Sequence, residues 1–249
     1  MQKKIQILPS GIPLVDEKWG GFYRGGTYLL IGSHKSGRTS LSLQFAKEAA
    51  DQNEVCLFFT SARPKDLLIQ AASIDIDLQK YIEKNQVIVV RVASPDNTGD
   101  LYNIDGALIE YMNDIVTVAE HYQPSKIVFD ELTPFIEFND LNLLNNVFTE
   151  TSEKIEDKGI TTLFVLSEPV TSATRTIVDT LTEKTTGVVS LKKKSEEEGC
   201  AGEMIITPNI GHAEGQFKTA YKIEPYRGVT IDSMKQVPGF RTVRKRNVA

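Results

Sequence analysis

The sequence predicts an α/β domain: a mostly parallel sheet with helices on both faces, extended on one side by an antiparallel C-terminal edge meander. Three observations carry this. Compact apolar runs alternate with segments of helical periodicity as far as residue 181, a pattern that requires parallel strands joined by crossover helices. A turn with Gly32 and Gly37 separates the first of these runs from the helix that follows. From Val188 onward the pattern changes to short strands divided by turns, which suits hairpins.

Residues 9–26 are rich in turn formers and lead into the first buried strand, residues 27–31. The stretch Gly32-Ser33-His34-Lys35-Ser36-Gly37-Arg38-Thr39 then has the spacing G-x-x-x-x-G-K-[ST], with arginine in the place of lysine. Hydroxyls at Thr39 and Ser40 precede an apolar face of Leu41, Phe45 and Ala49, so a helix opens here. Residues 55–60 read as the second buried strand, and Pro64 suits the first position of a helix carrying Leu67, Leu68, Ala71 and Ala72. Strand three is residues 87–92. A turn-rich loop at 94–99 separates it from a long helix marked by Leu108, Met112, Ile115 and Ala119 and ended by Pro124. Strand four, residues 126–130, is apolar until it ends in Asp130. A helix with Leu144, Phe148, Thr151 and Ile155 on one face follows, closed by Gly159 as a left-handed cap. Strand five covers 161–166 and ends in Ser167-Glu168-Pro169, and a shorter helix covers 177–181. Strands at 187–191, 204–206, 217–223 and 229–231 form the edge meander, with the charged run at 192–199 as a solvated hairpin tip.

A chain of 249 residues with 41% hydrophobic content can bury one large core. A net charge of -5 argues against a protein that coats nucleic acid through bulk charge. Cys56 lies in a strand and Cys200 in a turn, and neither a disulfide framework nor a metal site follows from them and from His34, His121 and His212. Trp19 reads as packing. The N-terminus reaches Pro9 before any apolar core of signal-peptide length, and no run is long enough to span a bilayer. The expected compartment is cytoplasmic, with no membrane partner.

The glycine turn carries the chemistry. Its backbone amides and the free amides of the first helical turn converge on one concavity, where they and the helix dipole bind phosphate oxygens. The nucleotide-contacting set expected from this is Gly32, Ser33, His34, Lys35, Ser36, Gly37, Arg38, Thr39 and Ser40. Thr39 is placed to ligate a magnesium ion bridging the outer phosphates, and Asp130 to hold the same ion through water. ATP or ADP with Mg2+ is the ligand this implies. Arg38 is longer than lysine, planar and forked, so it can pair with a phosphate without filling the same space; Lys35 at the loop tip could share its charge. An ordinary glycine turn before a helix has the same local pattern. The acidic end of strand four, one βα unit further on, is what favours the functional reading.

The opening Ser10-Gly11-Ile12-Pro13-Leu14-Val15-Asp16, then Gly20-Gly21-Phe22-Tyr23-Arg24-Gly25, then strand and loop, resembles the start of a RecA-like ATPase domain of the KaiC/RadA type. Tyr221-Lys222-Ile223-Glu224-Pro225-Tyr226-Arg227-Gly228-Val229 resembles its final strand pair. The resemblance implies a RecA-like P-loop NTPase fold in a single domain, residues 1–233, with residues 234–249 as a basic, mobile tail. It also exposes three departures. The loop lysine is Arg38, the water-activating glutamate pair after strand two is Ala62 and Arg63, and residues 206–212 lack the lysine and arginine that family members offer a neighbouring subunit. The nearest cations to that segment are Lys194 and Lys218.

A degenerate, KaiC/RecA-like nucleotide-binding regulator or assembly factor with little or no hydrolysis is therefore the function implied. A slow ATPase is the alternative, with Glu131 as the base, at a position where the family pattern has serine, or Glu168 near the same site. A recombinase-like DNA-binding paralogue is a further one, motivated by the fold and by Arg241, Arg244, Lys245 and Arg246 in the tail. Family members assemble with nucleotide at subunit interfaces, so a homo-oligomer or a protein partner is implied as well.

Overall fold

The computed structural model describes residues 5–92, 104–133, 140–193 and 201–231. A small antiparallel pair, β1 (Ile7–Leu8) and β2 (Phe22–Tyr23), brackets α1 (Pro13–Trp19). The main alternation follows: β3 (Thr27–Gly32), α2 (Arg38–Asp51), β4 (Cys56–Thr60), α3 (Pro64–Ser73), α4 (Leu78–Glu83), β5 (Val87–Arg91), α5 (Ile104–Tyr122), β6 (Lys126–Asp130), α6 (Leu141–Glu156), β7 (Thr161–Ser167) and α7 (Ser172–Glu183). The chain then runs through β8 (Gly187–Lys193), β9 (Ala201–Pro208), β10 (Phe217–Glu224) and β11 (Gly228–Ile231).

Among the described residues one sheet of nine strands has the order β11-β10-β9-β8-β3-β7-β6-β4-β5. Strands β8, β3, β7, β6, β4 and β5 are mutually parallel, and β9, β10 and β11 continue the sheet antiparallel beyond β8. This is the expected RecA-like architecture with its C-terminal edge meander.

Alternation along each strand explains the two layers of helices. Tyr28, Leu30, Phe58, Val128, Leu163 and Val165 face one side, where they pack with Leu14, Leu41, Phe45, Leu67 and Leu78 from α1 to α4. Leu29, Leu57, Phe59, Ile127, Phe129, Phe164 and Leu166 face the other, against Met112, Ile115, Leu144, Phe148, Ile177 and Leu181 from α5 to α7. Strands buried on both faces must be apolar throughout, which is why they read as unbroken runs.

Several elements go beyond the sequence reading. Residues 9–26 are not only turns. Pro13 starts α1, the left-handed Gly20 ends it, and Leu14, Val15 and Trp19 are buried from it. Its Asp16 accepts hydrogen bonds from the Ser10 amide (2.7 Å), the Ser10 hydroxyl (2.7 Å) and the Gly11 amide (2.9 Å), so the Ser-Gly-...-Asp opening is a loop clasped by one carboxylate. The α4 turn, capped by Asp77, is too short for a periodic signal. The helix expected at 177–181 begins at Ser172, because Thr171 and Thr174 form a reciprocal cap ahead of a polar first turn that carries no apolar mark. Strand β8 also runs on through Lys192 and Lys193, which the sequence places in the hairpin tip. Gly159 is left-handed, as its capping role requires. The loop at 94–99, the rest of the hairpin tip with Lys194, Cys200 and the basic tail lie outside the described residues. No described helix is long and apolar enough to cross a membrane.

Trp19 is packing, and its partner is a histidine. The β9–β10 hairpin returns over α1 so that buried His212 stacks on Trp19 at 4.2 Å, lies 4.4 Å from the Tyr23 ring, and sets Nε2 3.3 Å from the Tyr28 hydroxyl. Burial holds the His212 pKa below its ordinary value, with the Glu214 carboxylate opposing. The unfolded chain then takes up a proton first as the pH falls, so stability is lost from about pH 6.5 downward to the lower folded-state pKa. The wild type is expected to lose more melting temperature than His212→Gln between pH 7.5 and 5.5, and emission from Trp19, the single tryptophan, should fall at the lower end of that range as folded His212 takes its proton. Parallel pH dependence in the two proteins would contradict this.

Candidate functional site

The site is built at the carboxyl ends of the parallel strands, where a ligand of such a sheet is expected. Gly32 ends β3 and pairs in register with Ser167 on β7 and Leu191 on β8. A Cβ on Gly32 would stand 2.5 Å from the Ser36 hydroxyl, so the loop closes over a position that tolerates no side chain. The turn continues with Lys35 at φ 60° and Gly37 at φ 96°, and the Ser36 amide donates to the Ser33 carbonyl at 3.2 Å. His34 and Lys35 are exposed at the tip. Among the described residues no side chain caps α2, whose first amides stay free for an anion, and the buried Ser36 hydroxyl has no hydrogen-bond partner.

Two distant segments hold the loop from behind. The Tyr221 hydroxyl on β10 donates to the Ser36 carbonyl at 2.7 Å, and a Cβ on Gly37 would meet Ile223 at 2.8 Å. Gln44 on α2 accepts from the Val229 amide at 2.8 Å and donates to its carbonyl at 3.3 Å, while Gly11 lies against the Gln44 backbone. Thus the opening loop and the edge meander both brace the turn. Tyr221 and Gln44 escape a sequence reading, because their contacts join positions more than 180 residues apart.

Opposite the loop, Asp130 ends β6 with the Thr39 side chain close enough to favour its charged form, which brings the two expected metal ligands together. Loss of water around the Asp130 carboxylate pushes its pKa up to about 6; the Thr39 side chain and Arg38 oppose this, and Glu131 adds to it. Arg38 does not stand alone. Its Nη1 forms an ion pair with Glu131 Oε2 at 2.6 Å, and the Ser167 hydroxyl donates to Glu131 Oε1 at 3.1 Å. Ser167 is named by the sequence only as the end of strand five; the strand order β3-β7-β6 is what makes it a neighbour of both motifs.

Other candidates stand apart from this cluster. Glu168 is exposed, donates its amide to the Gly32 carbonyl at 3.0 Å, and lines a cleft of about 300 Å3 with Ser190 and Lys192. Arg63 is paired with Asp66 at 2.6 Å ahead of α3, and Ala62 beside it offers no carboxylate. Lys218 pairs with Glu203 at 3.5 Å across β9 and β10.

Glycine loop, bare helix terminus and strand-end carboxylate together define the phosphate-loop class of nucleotide-binding folds, in its RecA-like form. Residues 8–236 match the family described as ATPase, KaiC, and the chain belongs to that family. It is 28% identical over 157 residues to the circadian clock protein KaiC2 of Synechocystis, covering 62% of this chain and 26% of that one. It is 24% identical to the circadian clock oscillator protein KaiC of Prochlorococcus marinus, over 91% of this chain and 43% of that protein. The chain thus spans less than half the length of these relatives. Its fold is similar to the crystal structure of a KaiC-like protein from Pyrococcus horikoshii OT3, with a TM-score of 0.68 at 21% identity, over 92% of this chain and 100% of that one.

Proposed function

We propose that this protein binds ATP or ADP with Mg2+ in the loop from Gly32 to Ser40 and acts as a regulator or assembly factor with little or no hydrolysis. The observation that carries this is a contrast within one site: the binding groups stand ready, while Glu131, the carboxylate directly after Asp130, is already engaged. A cradle of free amides, the orphaned Ser36 hydroxyl and the Thr39–Asp130 pair fit a magnesium nucleotide. Magnesium takes few protein ligands and completes its shell with phosphate oxygens and water, so a hydroxyl and a carboxylate suffice. When bound, the ion would neutralise charge between the phosphates. Thr39 and Asp130 would hold it, and the loop amides would orient the phosphates.

Hydrolysis also needs a base for the attacking water and cations that stabilise the transferring phosphoryl group. Glu131 is held by Arg38 and Ser167, and residues 62–63 supply no substitute. Occupancy of the site then acts through what braces the loop, namely the opening segment and the edge meander, with a second copy or another protein as the recipient. A slow ATPase using Glu131 remains the second reading, favoured by the place of that carboxylate directly after Asp130.

Calorimetric titration with MgATP and MgADP, paired with a phosphate-release assay on wild type and Glu131→Gln, tests both. Saturable binding with release at background in each protein is the expected result. Absence of binding would remove the proposal, and multiple turnover lost in Glu131→Gln would replace it with the slow enzyme.

A further inference from the structure

Two departures at the glycine loop, arginine in the lysine position and glutamate after Asp130, meet each other. Arg38 and Glu131 lie 2.6 Å apart with side chains only 11% and 28% exposed. Ser167, set beside the loop by its register with Gly32, donates to both carboxylate oxygens of Glu131, at 3.1 and 3.4 Å. The pair is thus a fixed part of the site.

We propose that the Arg38–Glu131 pair makes the site select a nucleoside diphosphate over a nucleoside triphosphate, an inference that rests on the nucleotide-binding reading above. In a phosphate loop the backbone amides cradle the inner phosphates, whereas the cation at the position of Arg38 reaches the outer ones. The amide cradle here is intact and owes nothing to the Arg38 side chain. The cation, by contrast, already has its counter-ion. A third phosphate would have to draw Arg38 away, leaving the half-buried Glu131 carboxylate beside Asp130 and facing the incoming negative charge. A diphosphate, both of whose phosphates lie within reach of the amide cradle, asks for no such exchange.

The test is calorimetric titration of the full chain with MgADP and with the non-hydrolysable triphosphate analogue MgAMP-PNP, in wild type, Glu131→Gln and Ser167→Ala. Wild type should bind MgADP roughly tenfold or more tightly than the analogue. Glu131→Gln should shift the ratio of analogue to MgADP affinity about tenfold toward the analogue, and Ser167→Ala should shift it the same way by less. Equal wild-type affinities for the two ligands, or a gain of equal size for both in Glu131→Gln, would overturn the proposal. The wild-type ratio decides by itself where a variant does not fold. Binding of neither ligand would bring down the nucleotide-binding reading as well, whereas tight but undiscriminating binding removes this inference alone.

Discussion

Asp130→Asn is expected to lose the magnesium dependence of nucleotide binding while melting no lower than wild type. The side chain ends a central strand, and burial pushes its pKa up to about 6. An ionised carboxylate at pH 7 is therefore held where the fold disfavours it, a strain that a bound cation relieves and that asparagine never incurs. The sign follows from proton linkage. Between the ordinary value of 3.8 and about 6 the folded state binds more protons than the unfolded, so the stability linked to this group is full at low pH and lost as pH rises through 6. Asparagine keeps an acceptor for Thr39 and removes the charge, so its melting temperature at pH 7 should equal or exceed that of wild type. A carboxylate that holds a metal through water typically contributes roughly 10- to 100-fold to its affinity, and nucleotide titrations with and without Mg2+ should show that factor vanish. Retained magnesium dependence, or a fall of several degrees in melting temperature, would count against this assignment.

Phe164→Ala should give the largest loss of stability. Phe164 lies on β7 at the centre of the sheet and is fully buried; its ring stacks on Phe129 at 4.6 Å and meets Phe148 of α6 at 5.0 Å. Phe129 stacks in turn on Phe59 at 4.9 Å, so the aromatic row ties three neighbouring strands to the helices over them. Truncation opens a cavity between rigid strands that cannot collapse to fill it, at a cost of about 3–5 kcal/mol. For a domain of this size that corresponds to a fall in melting temperature on the order of 10 °C, readable by thermal or urea unfolding. A fall of under about 3 °C would mean that the helices repack over the gap.

Local patterns decided much of this protein in advance. A strand buried on both faces can only be written as an apolar run, and a phosphate loop needs its glycines and hydroxyl at set intervals, so β3 to β8, the turn at Gly32 and the carboxylate of Asp130 are all legible along the chain. Where the signal is short or polar, as in α1, α4 and the first turns of α7, periodicity has too few apolar positions to register.

The pairing of Arg38 with Glu131 was not legible, although both residues were. It depends on β6 lying beside β7, and β7 beside β3, an order that differs from the order of synthesis and is set by long-range packing of the two helical layers. The same holds for Tyr221 and Gln44 behind the loop. The amino-acid sequence alone thus determined that a glycine turn of phosphate-loop spacing and a strand-end carboxylate exist. Only the tertiary structure decided that the loop's arginine lies against Glu131, because electrostatic partners are chosen by distance in space and not by separation along the chain.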